Sequence, residues 1–426
     1  MTYFCNASFL YIDPGTGSML FSILIGAASM LYFLSKAALL RLKVFFSGRK
    51  NGVVHDASYK PYVIYSEGTQ YWNVFKPVCD AFERRQLPLS FLTSSEDDPV
   101  FGQNYTYVKP EFIGTGNAAF ARLNMLSAGF VLMTTPGLQV YQLKRSKNVR
   151  HYAHIVHMPN DVTTYRLFGL DFFDSVLLSG DFQGLDIRAL EELRAIPRKE
   201  LVTVGCTYLD VLATRIGAIP QEEDHPFTVL VSPSWGTSGL LARYGEKLLD
   251  PLAATGWRII IRPHPQSRKS EADMLERLQK RYGGNSSVVW DFERENISSM
   301  KKADIMISDF SGIVFDFSFL CDKPVMYVKA GIDWLPYDAY DLHKPLWQFQ
   351  TLEKMGIELQ EPQFSSIKQV IENASDSPEL AAARRAAKAE AWMHIGESGE
   401  RTADYMIETV ARLDAGAQEN QEEKTA

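Results

Sequence analysis

Cysteine is nearly absent. The chain has four in 426 residues, Cys5, Cys79, Cys206 and Cys321, with no CxxC pair among them. That spacing excludes a disulfide framework and a structural zinc site, and fits small buried hydrophobes in a reducing compartment. A long basic stripe is also missing, and the net charge is −7, so nucleic acid is not expected as a partner. Internal repeats and low-complexity tracts are lacking, which excludes solenoids and disordered linkers. What remains, 46% hydrophobic and 22% charged residues, is ordinary globular material, long enough for two domains with filled cores.

Long apolar runs are scarce, with one exception at residues 18–35, SMLFSILIGAASMLYFLS, which carries no charge. Extended to residue 40, the run reaches the roughly 20 residues needed to cross a bilayer. Only Asp13 is charged before it, whereas Lys36, Arg41, Lys43, Arg49 and Lys50 follow with no acidic residue among them. The positive-inside rule then predicts a short external segment (1–17), a transmembrane helix (18–40) and a basic juxtamembrane segment (41–60). The rest of the chain is expected on the cytoplasmic face of the plasma membrane, with the inner leaflet as a partner. A secretory signal would carry its positive charge ahead of the apolar core and a cleavage site after it, and neither is present. The DPGTG turn at 13–17 has no assigned role.

Beyond residue 60 the pattern alternates between strands and helices. Strands are expected at 62–66, 89–94, 130–135, 151–157, 175–180 and 201–205. A polar break, GAIPQEEDHP at 217–226, is followed by a second series: FTVLVSPS, WRIIIRPHP, SVVWD, DIMISD and KPVMYVK. The reading is an α/β fold of two doubly wound, Rossmann-like domains, 61–220 and 226–375, with a cleft between them as in GT-B glycosyltransferases. Helices at 376–414 and a disordered, solvated tail at 415–426 would follow.

Two segments carry chemistry. WRIIIRPHPQS, 257–267, runs an apolar strand into Arg262, Pro263, His264 and Pro265, and ligands in open α/β sheets collect beyond such strand ends. ADIMISDFSGIVFDFSFLCDKPVMYV, 303–328, ends a strand at Asp309 and starts a helix near Ser311, where free backbone N–H groups and the helix dipole suit a phosphate. Simple helix capping by Ser311 is the competing reading. Together, IRPHP, ISDFSGIVFDF and DKPVMY resemble the CDP-glycerol glycerophosphotransferase family, which builds teichoic acid and related polyol-phosphate chains. VSPSWG (231–236) and VGCTYLD (204–210) are similar to two further family elements. In HIVHMPNDVTTYR, His157 falls on the family's first-domain histidine. Val156, Met158 and Pro159 replace that motif's Trp, Gly and Thr, and its following lysine is absent.

The resemblance implies a CDP-polyol donor, most simply CDP-glycerol, whose polyol phosphate passes to a hydroxyl of a lipid-linked or glycan acceptor with release of CMP. Such chemistry asks for activation of the nucleophile and stabilisation of phosphate charge. His157 is assigned as general base and His264 to charge stabilisation or protonation of the leaving phosphate. Arg262 is assigned to a bidentate phosphate contact, and Ser311 with the Gly312 amide to the diphosphate. Asp309, Asp316, Ser234, Trp235 and Asp210 are supporting residues. Each has a plainer alternative: Arg262 in an ion pair, His264 as a cap, Asp309 and Asp316 orienting local backbone.

No metal is expected. On a strand His154 faces away from His151 and His157, which lie roughly 20 Å apart at about 3.3 Å per residue, and SEDDP at 95–99 reads as a loop. No cofactor is expected either, although Mg²⁺ is compatible with a nucleotide donor. Two other functions fit the same pattern: a GT-B glycosyltransferase using a nucleotide sugar, and an inactive membrane scaffold that retains the fold.

Overall fold

The structure, a computed structural model, describes residues 58–220, 225–293, 295–375 and 377–425. The expected membrane span at 18–40 lies outside the described residues. Among the described residues no helix is long and apolar enough to cross a membrane.

Among the described residues, thirteen strands form two parallel sheets. The first contains β1 (Lys60–Ser66), β2 (Leu89–Thr93), β3 (Val108–Phe112), β4 (Ser127–Met133), β5 (Asn148–Ile155), β6 (Ser175–Leu178) and β7 (Glu200–Thr203), in the order β3-β2-β1-β4-β5-β6-β7. The second contains β8 (Thr228–Val231), β9 (Arg258–Ile261), β10 (Val288–Trp290), β11 (Ile305–Ser308), β12 (Val325–Tyr327) and β13 (Ile357–Glu358), in the order β10-β9-β8-β11-β12-β13. Each sheet reverses its winding beside its first strand, between β1 and β4 and between β8 and β11. Loops leaving those strands diverge there and open a crevice at the carboxyl edge.

Helices cover both faces, so the inner strands are apolar throughout rather than alternating. SVLL of β6, TVLV of β8 and IMIS of β11 are buried at every position. Two strands escape the sequence pattern. VKPEF of β3 contains Pro110 and alternates in burial, which an outer edge tolerates because proline's missing N–H is not needed there. β13 has only two residues.

Two features depart from the expected domain limits. The helix Thr207–Ala218, assigned by sequence to the first domain, buries Leu209, Leu212 and Ile216 in one core with Leu230, Ile260 and Met306 of the second. The carboxyl terminus is also more ordered than expected. After the helix Pro378–Ala391, the chain crosses back and a final helix, Ser398–Thr425, lays Ala403, Met406 and Val410 against the Phe82 and Phe130 core of the first domain. This helix runs through 415–425, where a disordered tail was expected: Ala, Gln, Glu and Lys favour helix, and no proline interrupts them.

The second domain is strapped to the first at another point. Arg194 reaches Asp171 at 2.7 Å, Asp338 at 2.6 Å and Asp341 at 2.7 Å, and the Asp338 amide donates to the Tyr165 carbonyl at 2.9 Å.

Candidate active site

A cavity of about 720 Å³ lies at the crevice. Thr69, Gln70 and Trp72, just beyond β1, form the first-domain wall; Tyr208 and Arg215 of the bridging helix line it as well. The second domain contributes Ser232 and Pro233 after β8, Arg262 to Pro265 after β9, and Ser311 with Ile313 after β11. Three of the expected site residues, Arg262, His264 and Ser311, are therefore brought together on one wall.

His264 is fixed by its own turn. The Gln266 amide donates to Nδ1 at 3.1 Å and the Ser267 amide to the His264 carbonyl at 2.9 Å. A backbone N–H only donates, so Nδ1 is an acceptor and the neutral ring carries its hydrogen on Nε2. Burial lowers the His264 pKa, against an opposing pull from Asp309 and Glu271. The imidazole thus stands at neutral pH as an uncharged Nε2–H donor. The Trp235 ring lies 6.4 Å from it and is half exposed.

Arg262 behaves differently from its expected phosphate contact. Nη1 lies 2.6 Å from an Asp291 oxygen and Nη2 donates to the Glu293 carbonyl at 2.7 Å. The guanidinium braces the turn after β10 through this ion pair. Arg215 is paired likewise, with Glu295 at 2.6 Å.

Asp309 is wholly buried and organises three backbone segments. Its carboxylate accepts from the Ser234 amide at 3.0 Å, the Leu240 amide at 2.8 Å and the Ser311 amide at 3.2 Å. The register explains the reach: Ile307 pairs with Val231, so the two chains leave the sheet side by side. Asp309 and Ser234 are therefore parts of one clamp, which shapes the turns that carry Trp235 and Ser311.

Gly312 allows the domains to approach. A Cβ there would run into Met158 Cε and stand 2.9 Å from Asn160 Nδ2, so the turn just after His157 rests on the start of the helix Ile313–Cys321. Ser311 faces the cavity, whereas the Gly312 Cα face is covered by the first domain. One turn on, Asp316 is buried beneath the wall. Tyr208 donates to its Oδ2 at 3.1 Å, and Oδ1 has no partner. Burial pushes its carboxyl up to about 7, against the lowering effect of the Tyr208 hydrogen bond.

His157 lies just past β5 and stands one layer behind the cavity lining. Thr134 Oγ1 is 2.9 Å from Nδ1, Tyr165 Oη 3.4 Å from the same atom, and the Tyr71 ring is edge-on at 5.4 Å. Burial pushes its pKa down to about 4. His151 and His154 have separate partners, Ser175 at 2.8 Å and Tyr165 at 3.1 Å. Asp210 is not at the cavity wall. It receives Trp392 Nε1 at 2.9 Å and the Gly396 amide at 2.9 Å, and so ties down the approach to the final helix. Tyr208, Tyr165, Thr134 and Asp291 were not among the expected site groups, although Tyr208 lies in VGCTYLD, Tyr165 in HIVHMPNDVTTYR, and Thr134 and Asp291 at the ends of expected strands.

The family model for CDP-glycerol:poly(glycerophosphate) glycerophosphotransferase matches residues 237–341. That segment contains Arg262, His264, Asp309, Ser311, Gly312 and Asp316. Over this segment, about a quarter of its length, the chain is similar to that glycerophosphotransferase family. Its fold is similar to that of the wall teichoic acid polymerase TagF, with 12% identity over 83% of this chain and 89% of that one and a TM-score of 0.51. It is similar also to UDP-GlcNAc 2-epimerase from Methanocaldococcus jannaschii in complex with UDP-GlcNAc and UDP, with 10% identity, 82% and 99% coverage and a TM-score of 0.53. At such identities these likenesses show the two-domain GT-B fold alone. No curated protein sequence matches the chain.

Proposed function

We propose that the chain transfers a polyol phosphate, glycerol phosphate in the first instance, from a CDP-activated donor to a hydroxyl of a lipid-linked or glycan acceptor, releasing CMP in the synthesis of a teichoic-acid-type envelope polymer. The observation that carries the proposal is the coincidence of the family match with one wall of the cavity: Arg262, His264 and Ser311 lie inside 237–341 and line the same space. A volume of about 720 Å³ accommodates a nucleotide. TagF has been soaked with CDPG, which supports the same class of donor here.

In this reading the donor diphosphate lies against the second-domain wall. His264 Nε2–H and the Ser311 hydroxyl donate to its oxygens, and the Arg262–Asp291 pair holds the β9 and β10 turns in place. His157 serves the transfer from the first-domain side. Attachment to the inner face of the plasma membrane through residues 18–40 would bring the lipid-linked acceptor to the crevice while the soluble donor diffuses in.

The test is a donor panel. Membranes bearing the full chain are incubated with an acceptor and CDP-glycerol, CDP-ribitol or UDP-sugars, and the products are weighed by mass spectrometry. Glycerol-phosphate addition with CMP release is expected. Sugar addition would replace the proposal with a glycosyltransferase, and no turnover of any donor would favour the scaffold.

A further inference from the structure

The donor occupies the second-domain wall and leaves the facing wall without a task. Two first-domain segments form that wall, 67–73 beyond β1 and 95–103 beyond β2, and from them Thr69, Gln70, Asn73 and Gln103 line the cavity. Hydroxyls and primary amides both donate and accept, which suits the hydroxyls of a sugar or polyol. The Asn73 amide has no protein partner among the described residues, and Gln103 gives one hydrogen, from Nε2, to the Pro99 carbonyl at 3.0 Å. The charge of this wall has one sign. Segments 67–73 and 95–103 carry Glu67, Glu96, Asp97 and Asp98 and neither lysine nor arginine. The first three are exposed, and Asp98 is buried, accepting from Thr93 Oγ1 at 2.7 Å and from the Val100 amide at 3.1 Å. Lys76, the next cation along the chain, pairs with Asp80 at 2.6 Å and lines a separate hollow. The two arginines that line the cavity are paired as well, Arg262 with Asp291 and Arg215 with Glu295, each at 2.6 Å.

We infer that the acceptor end entering this crevice is an uncharged sugar or polyol, held by Asn73 and its polar neighbours, and that an end already carrying a glycerol phosphate is turned away. The inference rests on the proposed transfer and names the acceptor class which that reading leaves open. With the donor on the second-domain wall, the acceptor hydroxyl approaches phosphorus from the side of 67–73 and 95–103. Its oxygen bonds to the phosphorus that bears glycerol, the bond from that phosphorus to the CMP oxygen breaks with its electron pair leaving on CMP, and the hydroxyl's hydrogen is lost as a proton to solvent. One transfer therefore converts an uncharged end into an anionic phosphodiester, a few bonds from the new terminal hydroxyl. Charges act over about 8 Å at physiological salt, so a returning end brings its phosphodiester within reach of the rim carboxylates. Like charges set against each other reject a wrong partner without any steric block. The extended acceptor meets repulsion where the original met amides. The enzyme thus places one unit on a glycan and stops, and any lengthening requires a further transfer reaction that takes the anionic end.

The experiment gives full chain, purified in detergent, excess CDP-glycerol and lipid-linked glycans extracted from its source membranes, and counts glycerol phosphates per acceptor by mass spectrometry over time. A single addition should dominate, with the second about tenfold slower or more. Asn73→Ala should raise the acceptor KM about tenfold with the donor KM unchanged, and Glu96→Lys should narrow the gap between first and second additions several-fold. A ladder of multiply extended products from wild type, an acceptor KM unmoved in Asn73→Ala, or a gap that Glu96→Lys leaves as it was would overturn the inference. Should wild type not turn over CDP-glycerol at all, the proposed function fails, and hydrogen exchange still decides the acceptor wall. A short glycerol phosphate oligomer at low salt, where charge effects are largest, should leave 67–73 and 95–103 unprotected; protection there would overturn the inference.

Discussion

Asp309→Ala tests the clamp that shapes the second-domain wall. The carboxylate is fully buried and receives the amides of Ser234, Leu240 and Ser311 at 2.8–3.2 Å. Alanine leaves these donors without their acceptor, at about 1–3 kcal/mol for each one that stays dry. Leu240 is itself buried, whereas the turns bearing Ser234 and Ser311 are only partly so and water can reach them on relaxation. Relief of the buried charge offsets part of the loss. A net local cost of about 3 kcal/mol is expected, which corresponds to roughly 150-fold faster amide exchange because each 1.4 kcal/mol is a factor of ten. Hydrogen exchange followed by mass spectrometry over 232–241 reads this directly. The donor KM should rise with it, since Trp235 and Ser311 sit on the loosened turns. Exchange at Ser234 and Leu240 within a few-fold of wild type would refute the reasoning.

Two further outcomes follow from buried charge. The Asp316 carboxyl is raised by burial from 3.8 to about 7 in the folded chain, so the folded state binds a proton that the unfolded state has already released between those values. Stability therefore falls as pH rises from about 4 to about 7 and is level above that, by a total on the order of 4 kcal/mol. Asp316→Asn should flatten this slope in urea titrations across that pH range; an unchanged slope would contradict the assignment. Arg194→Ala leaves Asp171 and Asp338 buried without their shared cation, at an expected 3–5 kcal/mol. Calorimetry should show the interdomain strap melting earlier, and an unchanged transition would show that Arg194 does not hold it.

Much of the fold was legible because parallel sheets write themselves as apolar runs. Every strand expected between 62 and 329 has a counterpart in the structure, since helices on both faces leave no solvent side to interrupt the pattern. β3 was hidden by Pro110 and by its position at an edge, and β13 by its length of two residues. The bridging role of Thr207–Ala218 was not legible, because an apolar helix stripe does not say which of two cores it will enter.

The site was legible where local backbone determines it. His264 sits between prolines and is held by amides two and three residues ahead, so its geometry is contained in one short segment. Arg262 illustrates the opposite case. A guanidinium at a strand end serves a phosphate or a neighbouring carboxylate equally well, and only the adjacency of β9 to β10 brings Asp291 to 2.6 Å. Asp210 fell within a family-like element, yet its partners are Trp392, Gly396 and Ser398, close to 190 residues away. The environment of His157 depends on Thr134 just past β4 and Tyr165 from the loop after β5, a coincidence of tertiary structure with no local signature.

The most direct measurement is the initial rate of CMP release from saturating CDP-glycerol by full-length wild type and His264→Ala, with thermal midpoints recorded beside them. A donor at the diphosphate predicts at least a hundredfold fall in rate with the midpoint unchanged. Release within a few-fold of wild type from a folded His264→Ala protein would contradict the placement of the donor in this crevice.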